Sequence, residues 1–260
     1  MSTDSYISYK ELVGQLDIQS GDVVLVSSSL KKLLCTCRAN GEVFDADKFI
    51  DTILSAVGDQ GTVLFPTYNW DWCKGKGFDP VNTPSRCGAL STVALGRDDI
   101  HRTQHPIYSF AVWGRDAGHL LYLNNLSAFG HDSVFEYLYK IHAKNLFIGI
   151  DYKLAMTPVH YAEQTVGVPW RYPKTWMGEY GIRGVATMFK AYSMYVRNPE
   201  LCLETIIDPR MDGVLTDYQQ TELNGIYFGL IGLRNIIDLM INDLQFQKYL
   251  LVYPKKPETA

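Results

Sequence analysis

The sequence predicts an α/β fold: a mixed, largely parallel central sheet flanked by helices, with an α+β section at the C-terminal end. Three observations lead there. Val23-Val24-Leu25-Val26, Thr62-Val63-Leu64-Phe65 and Leu146–Ile150 are short continuous apolar runs, the pattern of strands buried on both faces. Segments with helical spacing of apolar residues lie between them. The chain has 260 residues, 47% hydrophobic and 20% charged, which is ample for a large core and unlike a disordered composition.

Taken in order, Ser8 and Glu11 have capping-box spacing and predict a helix running to about Leu16. Gly21-Asp22 turns the chain into the first strand, which ends in three serines and Leu30. Asp45 suits an N-cap, Phe49, Ile50, Ile53, Leu54 and Val57 share one helical face, and Gly58 suits the left-handed stop. Thr62–Phe65 follows as the second strand, completing a βαβ unit. Residues 66–106 are rich in Gly, Pro, Asp, Asn and Trp, and so long a loop is usually functional. Tyr108–Trp113 resumes as a strand, Ser133 and Glu136 open a short helix to about Ile141, and Leu146–Ile150 leads into a helix at Thr157–Glu163. Beyond Pro173 the pattern loosens: Val185–Val196 alternates, Ile226–Ile231 reads as a strand and Leu233–Leu244 as an amphipathic helix. Residues 1–170 are therefore expected to form the α/β core and 171–260 an α+β section on the same body.

Several function classes are excluded on composition. A formal charge of −4 gives no basic footprint for nucleic acid. No apolar run approaches the roughly 20 residues of a membrane span, and no signal peptide is readable, so a cytoplasmic protein is expected. Five cysteines without a CxxC pair argue for reduced thiols and against a disulfide framework or zinc ribbon. His101 and His105 are i, i+4, but His105 precedes proline, where helix is disfavoured, so no metal site is expected. No GxSxG elbow supports a serine hydrolase. The sequence leaves a homo-oligomer open.

Three places hold side chains suited to chemistry. The strand end Ser27-Ser28-Ser29-Leu30 offers hydroxyls and amides where parallel sheets bind ligands, and reads equally as a serine-rich turn. In Asp151–Glu163, Thr157 at the N-cap and Pro158 at N1 put His160 at N3, with Glu163 on the same face to orient the imidazole. The helix dipole disfavours the imidazolium and the carboxylate favours it, a balance suited to a general base; a purely structural pair has the same spacing. The third place is the proline-stiffened stretch Phe78–Gly88 with Arg102–Phe110, which reads as site walls or as plain connectors.

In sequence order, VVLVSSSL, GTVLFPTYNW, FDPVNTPSRCG, HRTQHPIYSFAVWG, FGHDSVFEYLY, LFIGI and TPVHYAE resemble the antibiotic N-acetyltransferases, typified by the aminoglycoside 3-N-acetyltransferases. The resemblance covers about residues 8–170, and the FDPxxTPSxxG, RxxHPxxSF and TxxHYAE elements carry it. It implies an α/β fold distinct from the commoner acetyltransferase fold, acetyl-CoA or another acyl-CoA as donor, and a sugar amine as acceptor. It places Ser28, Ser29 and Leu30 beside the pantetheine and pyrophosphate, with Arg102 and Ser109 as polar contacts to CoA. Catalysis falls to His160 and Glu163, with Ser85 near the thioester.

Two departures bear on the acceptor. Ser27 stands where most aminoglycoside enzymes have histidine, and the connector Thr67–Asp79, carrying YNWDWCKGKGF, is short. The second feature resembles the branch that acylates nucleotide-linked amino sugars for surface polysaccharides, so that acceptor is preferred here over an aminoglycoside antibiotic. An antibiotic acceptor is a polycation and calls for converging acids, for which Asp71, Asp79, Glu179 and Asp217 are candidates. A CoA- or sugar-binding module without turnover is the alternative from another class.

Overall fold

The structure, a computed structural model, describes residues 6–182 and 184–257. After a 3₁₀ turn at Val13–Gln15 come β1 (Val23–Ser28), α1 (Lys31–Ala39), α2 (Ala46–Val57) and β2 (Thr62–Pro66). The long connector then holds a 3₁₀ turn at Trp72–Lys74, α3 (Ala89–Leu95) and β3 (His101–Arg102), before β4 (Phe110–Gly114), α4 (Ala117–Tyr122), α5 (Val134–Lys140) and β5 (Lys144–Ile148). Next are α6 (Tyr152–Ala155), α7 (Val159–Val166) and the hairpin β6 (Arg171–Ile182) with β7 (Ala186–Arg197). The chain ends with β8 (Glu204–Ile207), a 3₁₀ turn at Pro209–Gly213, β9 (Gln219–Leu223), β10 (Ile226–Gly232), α8 (Leu233–Phe246) and β11 (Val252–Lys255).

Seven strands form the central sheet in the order β3-β4-β2-β1-β5-β10-β9. The mixed sheet is parallel at its centre, where β1 pairs with both β2 and β5, and antiparallel on both flanks. Leu25, Leu64 and Phe147 face a core shared with α5, α7 and α8, whereas Val24, Val63 and Leu146 face one shared with α2 and α3. Both faces are dry, which is why the central strands read as unbroken apolar runs. β10 pairs with β5 through Phe228–Gly232, so strands of the C-terminal third join the same sheet.

Two local expectations are corrected. The helix from Ser8 to Leu16 is only a 3₁₀ turn at Val13–Gln15: the Ser8 hydroxyl accepts from the Lys10 amide at 3.3 Å, and Glu42 accepts from the Ser8 hydroxyl at 2.5 Å and the Tyr9 amide at 3.2 Å. In α7 the cap is Pro158, not Thr157, which moves His160 from the third helical position to the second. The expected α2 cap is present, with Asp45 accepting from the Lys48 amide at 3.2 Å. No helix among the described residues is long and apolar enough to cross a membrane, and all five cysteines are free thiols.

Candidate active site

β5 delivers the candidate base. Its last residue pairs with Ser28 of β1, and the chain then passes through Gly149 into α6 and α7. Gly149 has φ +65°, and a Cβ there would lie 2.4 Å from the Ser29 carbonyl oxygen, so only glycine lets the two strand ends approach this closely. α7 carries His160 and Glu163 one turn apart, with His160 Nδ1 2.7 Å from Glu163 Oε2.

Glu163 is wholly buried and is a hub. Trp170 Nε1 donates to its Oε1 at 2.9 Å and the Thr205 hydroxyl to the same oxygen at 2.7 Å. Arg171 Nε lies 2.7 Å from Oε2, an ionic contact without hydrogen-bond alignment, so the charge counts more than the direction. Burial opposes the Glu163 charge, but the His160 contact, the Arg171 guanidinium and Thr205 outweigh it and bring the carboxyl down to about 2. Burial pushes His160 below 6.5, against the pull of Glu163 and with the help of Arg171. Burial thus favours the neutral imidazole, held by Nδ1 against Glu163, with Nε2 left to take a proton. Its side chain keeps 23% exposure and lines a cleft of about 240 Å³ with Lys153, Thr157, Arg171, Arg197 and Thr205.

The other expected site residues fall in two places. Ser28, Ser29 and Leu30 form the turn from β1 into α1, where the Ser29 amide is tied to the Ile148 carbonyl and Leu30 is the helix cap. Ser27 accepts from buried Asn145 at 3.2 Å. Ser85 is half-buried and accepts from the Cys87 amide at 3.1 Å. Neither the serine turn nor Ser85 lines the His160 cleft. A chain of ring contacts runs to His160 from Cys87, two residues beyond Ser85. Cys87 Sγ sits 3.2 Å from the Tyr68 amide; Tyr68 packs on Tyr108 at 4.6 Å, Tyr108 on Phe129 at 4.6 Å, and Phe129 on His160 at 5.3 Å.

Arg102 and Ser109 occupy a clamp. Arg102 donates to the Ser109 hydroxyl at 2.9 Å, to the Thr67 carbonyl at 2.7 Å and to the Thr83 carbonyl, and stacks over Phe78. Burial brings the guanidinium down to about 10. Ser109 is fully buried with its hydroxyl engaged by Arg102 and Thr67, so it does not present that hydroxyl to a ligand in this conformation.

A second, larger cleft of about 900 Å³ lies between the connector and the β6–β7 hairpin. Asp71, Asp79 and Glu179 all line it, together with Phe189 and Met177, which are 72% and 68% exposed. Lys76 and Arg86 each approach Asp71. The fourth candidate acid, Asp217, sits elsewhere, in a groove beside Asn235. The two histidines weighed as a metal pair do not converge: His101 is exposed on β3, whereas His105 is buried, with Nδ1 accepting two backbone amides. Among the described residues, His131, Asp132 and Glu136 bring ligand-type atoms within 4.8 Å of one another, but His131 and Asp132 are exposed and Glu136 is paired with Lys140.

The sequence reading missed Trp170, Arg171 and Thr205. Trp170 and Arg171 follow Glu163 by seven and eight residues in an aperiodic stretch, and Thr205 comes from β8, so local spacing held no trace of the hub.

The chain resembles known proteins over nearly its whole length. AAC-VIa bound to sisomicin superimposes with a TM-score of 0.76 at 24% identity, covering 94% of this chain and 99% of that one. AAC-IIIb in its binary complex with CoASH gives 0.75 at 18% identity, covering 98% and 100%. The YokD protein from Bacillus subtilis gives 0.74 at 19% identity, covering 95% and 97%. These similarities establish the fold. The sequence model described as aminoglycoside 3-N-acetyltransferase matches residues 25–193, which include β1, the connector, the Arg102 clamp and the His160–Glu163 pair. The chain belongs to the aminoglycoside 3-N-acetyltransferase family of acyltransferases.

Proposed function

We propose that this protein transfers an acetyl group from acetyl-CoA to an amino group of a sugar, with His160 as general base and Glu163 as its orienting carboxylate. The observation that carries this reading is the dyad itself: one ring nitrogen committed to a buried carboxylate, on an imidazole whose neutral form burial favours and which lines an open cleft. An alkylammonium has no lone pair for a thioester. His160 Nε2 takes its proton, the amine attacks the acyl carbon, and the thiolate leaves and is reprotonated. The oxyanion needs donors that reach the His160 cleft, and neither the Ser28–Leu30 turn nor Ser85 lines it. Ser28–Leu30 and the exposed Lys31 and Lys32 suit the pantetheine and phosphates of CoA, and Arg102 shapes the wall through Thr67 and Thr83.

For the acceptor, an aminoglycoside-type polyamine ranks ahead of a nucleotide-linked amino deoxysugar, reversing the order that the sequence alone favours. Three of the four candidate acids line one cleft, with exposed Phe189 and Met177 available to pack on sugar rings, and AAC-VIa is a sisomicin-bound structural neighbour. A thiol-release assay with acetyl-CoA against aminoglycosides and nucleotide-linked amino sugars tests both levels. Turnover with the first panel is expected. Turnover with only the second reverses the acceptor, and none with either overturns acetyl transfer.

A further inference from the structure

We propose that Arg171 is a positioning residue for the reaction: seated on the same carboxylate oxygen as His160 Nδ1, its guanidinium offsets the Glu163 charge, so the carboxylate aims the imidazole without fixing a proton on it. The inference rests on the acetyl-transfer reading for its consequence in turnover, but its electrostatic content is independent of the substrate.

A buried carboxylate facing only a histidine stabilises the imidazolium, and a base already carrying its proton cannot accept another. The usual escape is solvent, and Glu163 has none, since it is wholly buried. Arg171 is the cation that meets it. The guanidinium is 8% exposed and fixed by two further hydrogen bonds, each 3.1 Å, to the Tyr195 carbonyl and the Thr205 hydroxyl. Thr205 in turn donates to Glu163 Oε1, so β6, β7 and β8 close a ring around the carboxylate. A lysine delivers charge but not this planar fork.

The other charged and titratable groups around the pair do not substitute for Arg171. Lys153, from α6, is held by Asp151 at 3.5 Å and Asp212 at 2.9 Å. Glu204, on β8, pairs with Lys255. Arg197, from β7, lines the cleft with an exposed side chain and lies outside the carboxylate's hydrogen-bond set. Tyr195 and Cys202 are neutral, both raised chiefly by burial. Among the described residues, Arg171 alone combines a full charge, burial and contact with Glu163.

The test follows the His160 ring by NMR titration in R171M, R171K and E163Q/R171M, alongside the pH profile of kcat/KM for acetyl transfer. In R171M the His160 transition and the acid limb of the profile should both move up by about one pH unit or more, as expected for an uncompensated carboxylate in contact. R171K should return most of that displacement. In E163Q/R171M, where both charges are gone, the transition should lie at or below its wild-type position. Should R171M fold poorly, R171K and the double variant still carry the comparison. A His160 transition that stays in place in R171M, or that rises equally in the double variant, would overturn the inference. A wild-type enzyme with no turnover would instead count against acetyl transfer and leave the NMR result standing.

Discussion

Glu163, buried, and Arg102, half-buried, are charges at the centre of polar clusters, and they spend their contacts differently. Arg102 gives its donors to Ser109 and to the carbonyls of Thr67 and Thr83, all parts of the fold. Glu163 takes three of its contacts from the fold, in Trp170, Arg171 and Thr205, and the fourth from His160, which faces a cleft. Arg102 ends on main-chain carbonyls and a buried hydroxyl of the connector and the residue leading into β4, which it holds together. The TxxHYAE element thus sets a buried carboxylate against a residue that lines a cleft, and the RxxHPxxSF element sets Arg102 on the connector's own carbonyls.

The sharpest way to break that contrast is Glu163→Ala. It leaves the Arg171 guanidinium without its counter-charge, and stranding a buried partner typically costs about 3–5 kcal/mol. Denaturant unfolding should show that loss together with a collapse of turnover, because hub and orienter are the same residue. Unchanged stability would mean that the cluster is not the anchor described here.

His160→Ala separates the two roles. The fold and CoA binding should persist, while turnover falls by about 10²–10⁴, the usual contribution of a general base. Single-turnover kinetics with acetyl-CoA reads the loss, and wild-type-like turnover would remove His160 from the mechanism.

Acid then sharpens the comparison. Glu163 has its folded pKa lowered from 4.5 to about 2, so its stabilisation is present above 4.5 and fades as pH falls towards 2. His160 is lowered from 6.5, so protonation favours the unfolded chain below 6.5, and stability falls in the same direction. Unfolding free energy measured from pH 7 down to 3 should decline less steeply in Glu163→Gln than in the wild type. Parallel curves would show that the buried carboxylate does not govern acid sensitivity.

Arg102→Lys is expected to do less. It keeps a charge but loses the fork that reaches two carbonyls and a hydroxyl, at about 1–3 kcal/mol by chemical unfolding. Turnover per folded molecule should fall only through looser connector walls, seen as a KM change larger than the kcat change.

How much of this was legible in the sequence depended on whether the cause was local. The central strands were readable because a sheet dry on both faces demands unbroken apolar runs, and Val23–Val26 satisfies that without help from elsewhere. The helix expected at Ser8 is replaced by a turn in which Ser8 accepts from the Lys10 amide while Glu42, 34 residues away, binds the Ser8 hydroxyl and the Tyr9 amide. The His160–Glu163 contact was readable from i, i+3 spacing, although the cap lies one residue later than expected. Arg171 and Thr205 were not, since three different strands bring the ring together. The loose alternation of Val185–Val196 has a similar cause: in β7 Tyr192, Ser193 and Tyr195 are all buried, so both faces are covered at that end and the period of two is lost.

Ser109 gives the smallest and most discriminating effect. The sequence resemblance assigned its hydroxyl to CoA, yet the side chain is wholly buried, accepts from Arg102 at 2.9 Å and contacts the Thr67 carbonyl at 3.0 Å. Ser109→Ala removes one acceptor from a charged donor that retains two carbonyls, so the expected loss is about 1 kcal/mol. KM for acetyl-CoA should then stay within about twofold of wild type, since the hydroxyl serves the clamp. A tenfold rise, equal to about 1.4 kcal/mol of binding, would show that the clamp opens when donor binds and that Ser109 turns towards it. In that case Arg102 would cease to be a purely architectural charge, and the contrast with Glu163 would hold only for the unliganded enzyme.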